Sequence, residues 1–142
     1  MTHGTEANRA AADIRAAIDK ICNEPDEIDY VAIFDFRRQV EGDNVIRFEP
    51  TTLAPNVGQH LKRIKSMVVD ERGKYQHAKY KKARFEPNVD FMIAWVPTDI
   101  DDALIGFFGF APYDEDVFRL AVDDRKMDLI ELWRKLKQLT RA

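Results

Sequence analysis

Asp90–Phe110 reads DFMIAWVPTDIDDALIGFFGF, and how these residues are assigned decides the fold. Its two apolar segments, DFMIAWV (90–96) and ALIGFFGF (103–110), are short, close together and apolar at odd and even positions alike. Strands of this kind carry apolar side chains on both faces of a sheet and need cover on both. VFRLAV (117–122) follows, alternating Phe118, Leu120 and Val122 against Val117, Arg119 and Ala121, and reads as the third strand of an antiparallel meander. Upstream, YVAIFDF (30–36) is another strand apolar on both faces, and RRQVEGDN with Gly42 reverses the chain into VIRF (45–48), a β-hairpin.

Amphipathic helices supply the cover. Ala7, Ala11, Ile14, Ile18 and Ile21 recur at helical spacing, which predicts a helix over 5–22 with Thr5 as its N-cap and residues 1–4 as a tail. Leu53, Val57, Leu61, Ile64 and Val68 predict a second helix over 52–72, capped by Thr52, tolerant of Pro55 in its first turn and ended by Gly73. Leu129, Leu132, Trp133, Leu136 and Leu139 predict a third, capped by Asp123 or Asp124. A rival reading runs that helix unbroken from Asp116 and puts Arg125 in its apolar stripe. The expected fold class is α/β of the α+β type. It is a three-layer sandwich with a mostly antiparallel sheet of five or six strands and helices on both faces, in one domain over 1–142.

With 142 residues, 45% hydrophobic and 33% charged, the chain has the balance of one ordinary domain with a full core. Cys22 is the single cysteine, so no internal disulfide forms and a reducing compartment is expected. The first residues lack the apolar core of a signal peptide, and no apolar run approaches the ~20 residues that span a bilayer. A cytoplasmic location is the expectation.

KYQHAKYKKARFEP (74–87) stands out by charge. Between His60 and Arg84, nine Lys or Arg face two acids, Asp70 and Glu71, in a chain whose total charge is −3. The stretch suits an edge strand beside DFMIAWV, where lysines prevent edge-to-edge pairing; a continuation of the second helix is the other option. The same residues form a candidate surface for an anionic partner: Lys62, Arg63, Lys65, Lys74, Lys79, Lys81, Lys82 and Arg84. Tyr75, Tyr80 and Phe85 lie between the cations, the pattern that single-stranded nucleic-acid binders use for stacking and phosphate contact.

Catalytic motifs are missing: there is no Gly-rich phosphate loop, no HExxH and no G-x-S-x-G. GFFG (106–109) sits inside a strand, where its glycines serve packing. His3, His60 and His77 are dispersed along the chain. If YVAIFDF pairs with VFRLAV, nine carboxylates gather at one end of the sheet, from 24–29, 99–102 and 123–124, and weak Mg²⁺ or Ca²⁺ binding is open beside plain loop solvation and capping. Phe91, Trp95, Phe107, Phe108 and Phe110 allow a small-molecule pocket or simple core.

FRLAVDDRKMDLIELWRKL (118–136) looks like the last strand and closing helix of roadblock/dynein light chain domains. The order helix, two strands, helix, strand meander, helix resembles that family over nearly the whole chain, and more loosely the longin and profilin-like domains. The resemblance implies a non-enzymatic module without a cofactor, one that forms a homodimer and serves as a platform for small GTPases or larger assemblies. The basic stretch departs from the family pattern. A nucleic-acid-binding domain using the basic 60–84 face and a small-molecule sensor are the alternatives.

Overall fold

The computed structural model describes residues 2–24, 28–35, 46–48, 57–78, 82–100 and 103–140. The chain runs α1 (Thr2–Cys22), β1 (Tyr30–Asp35), β2 (Ile46–Phe48), α2 (Val57–Ala78), β3 (Arg84–Pro87), β4 (Phe91–Pro97), β5 (Leu104–Phe110) and α3 (Glu115–Thr140). The five strands among the described residues form one antiparallel sheet in the order β2-β1-β5-β4-β3. The expected hairpin is present, with Ile33 opposite Phe48.

Strand alternation divides the interior in two. Val31, Ile33, Met92, Ala94, Val96, Ile105 and Phe107 point to one side, where α1 and α3 cover them. Tyr30, Phe34, Phe91, Ile93, Trp95 and Phe108 point to the other, under Val57, Ile64 and Val68 of α2. β1, β4 and β5 are buried along their whole length, as strands apolar on both faces require. Helices on both faces of an antiparallel sheet, in the order αββαβββα, make the three-layer α+β sandwich that the roadblock-like resemblance implies.

One expected strand is a helix. Residues 117–122 form the early turns of α3, and the side chain of Asp114 caps them by accepting from Val117 N–H at 3.1 Å, in the role expected of Asp123 or Asp124. Phe118, Ala121, Val122, Leu129, Trp133 and Leu136 are buried on one stripe, whereas Val117 and Leu120, apolar on either reading, are exposed. Arg125 does lie in the stripe. Its guanidinium is accommodated by donating to the Ala121 carbonyl at 3.0 Å and by facing Glu24 at 3.7 Å, so burial leaves it satisfied.

The remaining boundaries shift. α1 takes in Thr2–Gly4, read above as a tail, and starts before the expected cap Thr5. α2 does not stop at Gly73 but continues to Ala78, while its expected cap Thr52 and Pro55 lie outside the described residues. An interior glycine weakens a helix by only about 1 kcal/mol, and the buried side chain of Glu71 anchors this part of α2 to β3.

Candidate functional site

KYQHAKYKKARFEP is two structures in one. Lys74–Ala78 belong to α2, Lys79–Lys81 lie outside the described residues, and Arg84–Pro87 form the edge strand β3 beside β4, with Arg84 opposite Trp95. Both expectations for the stretch, edge strand and helix continuation, hold in different parts of it.

Several of the described cations are engaged within the fold. Glu71, only 2% exposed, stands on the sheet-facing stripe of α2 three residues beyond Val68. Arg84 forms an ion pair with it from β3, and Lys74 approaches it to 3.9 Å from the next turn. Arg84 also lies 3.5 Å from Glu86, which accepts a hydrogen bond from Trp95 Nε1 at 3.0 Å. A buried carboxylate needs such partners, because an uncompensated charge in a dry interior is costly. Arg84 and Lys74 therefore serve the fold by tying β3 to α2.

Arg63 is engaged too: it pairs with Asp90, donates to Asn88 Oδ1 at 2.9 Å and lies over the Phe91 ring at 5.2 Å. It holds the β3–β4 turn. Lys62, Lys65 and Lys82 are exposed, the first two on α2 and the third just before β3. Phe85 packs inward on the other side of the sheet, edge-on to Phe118 with Arg119 above its ring at 4.3 Å, and offers no open stacking platform. Tyr80, Lys79 and Lys81 lie outside the described residues.

His60 packs against Phe110 and Phe91, with ring centroids at 4.6 and 5.2 Å, and is a core-lining histidine. The described carboxylates form no metal-ligating group. β1 pairs with β5 rather than with 117–122, so Tyr30 lies opposite Phe108 while the 97–102 loop belongs to the far end of β5. Asp123 and Asp124 sit on α3, Asp26, Glu27, Asp101 and Asp102 lie outside the described residues, and no group of three metal-ligating side chains occurs among the described residues. Asp29 is used structurally: its carboxylate accepts from Phe110 N–H at 2.7 Å.

The aromatic side chains are split as well. Phe107 lies in the core under α1 and α3, whereas Phe91, Trp95, Phe108 and Phe110 share the other core, so the five do not enclose one pocket. Trp95 and Phe91 meet Phe108 edge-on at 5.5 and 6.1 Å. Gly106 makes room for them, since a Cβ there would come within 3.0 Å of the Phe34 and Phe108 rings and 3.2 Å of Trp95. The GFFG glycine at 106 is thus a packing device.

Burial pushes the Cys22 thiol up to about 12, reinforced by Asp19 and opposed by Arg125. It is a thiol without thiolate character at neutral pH. Glu71 and the Lys137–Asp35 pair, which closes at 2.8 Å against the buried end of β1, were not singled out from the sequence. For Glu71 a signal exists, an acid at the next position of the Val57, Leu61, Ile64, Val68 stripe; for Asp35 nothing local marks a partner 102 residues away.

Among the described residues no helix is long and apolar enough to cross a membrane. The sequence matches no protein-family model and no curated protein. In structure the chain is similar to Myxococcus xanthus MglB, with 10% identity, 86% of this chain and 95% of that chain covered, and a TM-score of 0.49. No residue role is carried over from that likeness.

Proposed function

We propose that the protein is a non-catalytic association module of roadblock-like type, acting through a symmetric homodimer and through partner binding. The observation that carries this reading is the open edge of the sheet. β3 pairs with β4 on one side, and no described strand lies on the other. Unpaired N–H and C=O groups along such an edge are a template for a strand of another chain, and a second β3 related by a two-fold axis satisfies them isologously. Arg84 and Glu86 turn toward α2 and Trp95, so they do not guard the edge. The roadblock-like resemblance supplies the partner class, small GTPases or larger assemblies, and a cytoplasmic setting suits a chain whose lone thiol is buried.

Sedimentation at micromolar concentration and high ionic strength tests the dimer. The expected species has twice the 16.5 kDa mass of the chain, and a single 16.5 kDa species overturns the reading.

A second reading, nucleic-acid binding through the basic 60–84 face, is favoured by the exposure of Lys62, Lys65 and Lys82. It loses Arg63 and Arg84, which are held within the fold. Retention on single-stranded DNA that falls steeply with salt supports it, because each neutralised phosphate releases counterions; no retention at low salt removes it.

A further inference from the structure

Hydrogen-bond phase settles which backbone groups of β3 face β4 and which face outward. Asn88 N–H donates to the Phe91 carbonyl at 2.7 Å, so these two residues are a hydrogen-bonded pair of the β3–β4 ladder. Such pairs alternate along antiparallel strands, so Glu86 opposite Ile93 and Arg84 opposite Trp95 are bonded in the same way. Across β4, Ala111 N–H donates to the Asp90 carbonyl at 2.9 Å; the same alternation turns Met92, Ala94 and Val96 toward β5 and leaves Phe91, Ile93 and Trp95 for β3. Phe85 and Pro87 fall between the bonded pairs, and their backbone groups point away from β4, where no described strand lies. Pro87 has no N–H, so β3 presents outward one donor, Phe85 N–H, and two acceptors, the carbonyls of Phe85 and Pro87.

The side chains around Phe85 are complementary to their own reverse. Arg84 and Glu86 flank it on the α2 face of the sheet, while the Phe85 ring lies on the opposite face against Phe118. Read antiparallel to itself about Phe85, the strand sets Phe85 opposite Phe85 and each Arg84 opposite a Glu86. The two charged side chains are 37% and 38% exposed, so both are open to a second copy while Arg84 keeps its ion pair with Glu71.

We propose that the β3-edge dimer, on whose reading this inference rests, has its two-fold axis through Phe85, and that Arg84 and Glu86 fix that register. The two copies of Phe85 then exchange both N–H···O bonds, and each Pro87 carbonyl accepts from the Ala83 N–H of the other copy. Every outward donor from Ala83 to Pro87 finds an acceptor. An axis normal to the sheet keeps the α2 face of both copies on one side, so each Arg84 stands directly opposite the second copy's Glu86, and opposite charges so placed favour pairing. A shift of the axis by one residue is worse in either direction. Through Arg84, it sets the two Arg84 side chains against each other. Through Glu86, it opposes two carboxylates and turns the Phe85 carbonyl to a proline that has no N–H to give.

Cysteine cross-linking of the full chain in a Cys22→Ala background tests the register, beside sedimentation of the unmodified chain. In this register Ala83 of one copy lies opposite Pro87 of the other with Cα atoms about 5.5 Å apart, within disulfide reach. Ala83→Cys and Pro87→Cys chains, mixed under reducing conditions and then mildly oxidised, are expected to link to each other. Neither is expected to link to itself, since equivalent positions are offset by roughly 14 Å along the strands. Glu86→Lys sets like charges opposite each other at two symmetry-related places and is expected to raise the dimer dissociation constant about tenfold; Glu86→Gln, which keeps an acceptor for Trp95 Nε1, raises it about threefold. A single 16.5 kDa species for the unmodified chain removes the edge dimer and the register with it. A dimer whose mixed cysteine chains do not link, whose single-cysteine chains link to themselves, or whose affinity is unchanged by Glu86→Lys leaves the dimer standing and overturns the register.

Discussion

The two faces of the sheet solve the same covering problem differently. Five strands spaced ~4.8 Å apart make a sheet roughly 20 Å across, about twice the width of one helix with its side chains. Beneath α1 and α3 there are two helices to span it, and the strands present mostly aliphatic side chains. Among the described elements α2 alone covers the other face, and there the strands present Tyr30, Phe34, Phe91, Trp95, Phe108 and Phe110. Large rings extend cover sideways where helix is lacking. At the β3 margin, where α2 turns its Glu71 inward, an ion pair with Arg84 continues what apolar contact begins. A face closed by interlocked rings and one charged tie is expected to tolerate change less than a face closed by two helices.

Adjacent residues on opposite faces give the sharpest comparison. Phe108→Ala removes ring contacts with Tyr30, Phe91 and Trp95 and is expected to cost about 4–5 kcal/mol, against about 3–4 kcal/mol for Phe107→Ala. Denaturant titration of both measures it. A larger loss for Phe107→Ala breaks the contrast between the faces.

The charged tie comes next. Arg84→Ala takes from the buried Glu71 its ion-pair partner on β3, and a loss of roughly 2–3 kcal/mol is expected. Arg84 is itself 37% exposed, which keeps the figure below that of a fully buried pair. Pairing the variant with Glu71→Gln recovers part of the loss if the weakened compensation of that buried charge is the cause; an additive double variant shows that it is not.

Gly106→Ala probes how tightly the rings lock. The new methyl meets two rings at 3.0 Å and a third at 3.2 Å, so about 1–2 kcal/mol of overpacking is expected in the same titration. A neutral or stabilising effect means that Phe34, Phe108 and Trp95 shift freely.

Cys22, the last residue of α1 on the aliphatic side, gives the smallest effect, a titration confined to alkaline pH. Its folded value of about 12 lies above the ordinary 9.0, so the folded state keeps a proton that the unfolded state releases. Stability therefore falls as pH rises from about 9 toward 12, and Cys22→Ala is expected to flatten that part of the pH profile. Thiol alkylation at neutral pH is expected only on unfolding; rapid labelling of the native protein overturns the burial argument.

Legibility followed the range of the signal. β4 and β5 were readable because each carries apolar residues at every position, and no helix stripe has that pattern. VFRLAV was not: six residues with an apolar residue at both alternating and helical spacing satisfy either period, and Arg125 argued against the helix that forms. The basic stretch was legible only in part, for a related reason. Charge counts show how many cations a segment has but not where each points, and Arg84 and Arg63 spend theirs on Glu71 and on Asp90 with Asn88.

By itself the sequence determined the element order apart from 117–122, the need for helical cover on both faces, and a candidate cationic segment. These rest on periodicity and composition, which act over a few turns of chain. Only the tertiary structure decided that β1 lies beside β5, that Phe107 and Phe108 serve different cores, and that α2 lies across the sheet from α1 and α3. Such choices depend on which distant segments pack together, and burial energy that makes them is a property of the assembled layers rather than of any one of them.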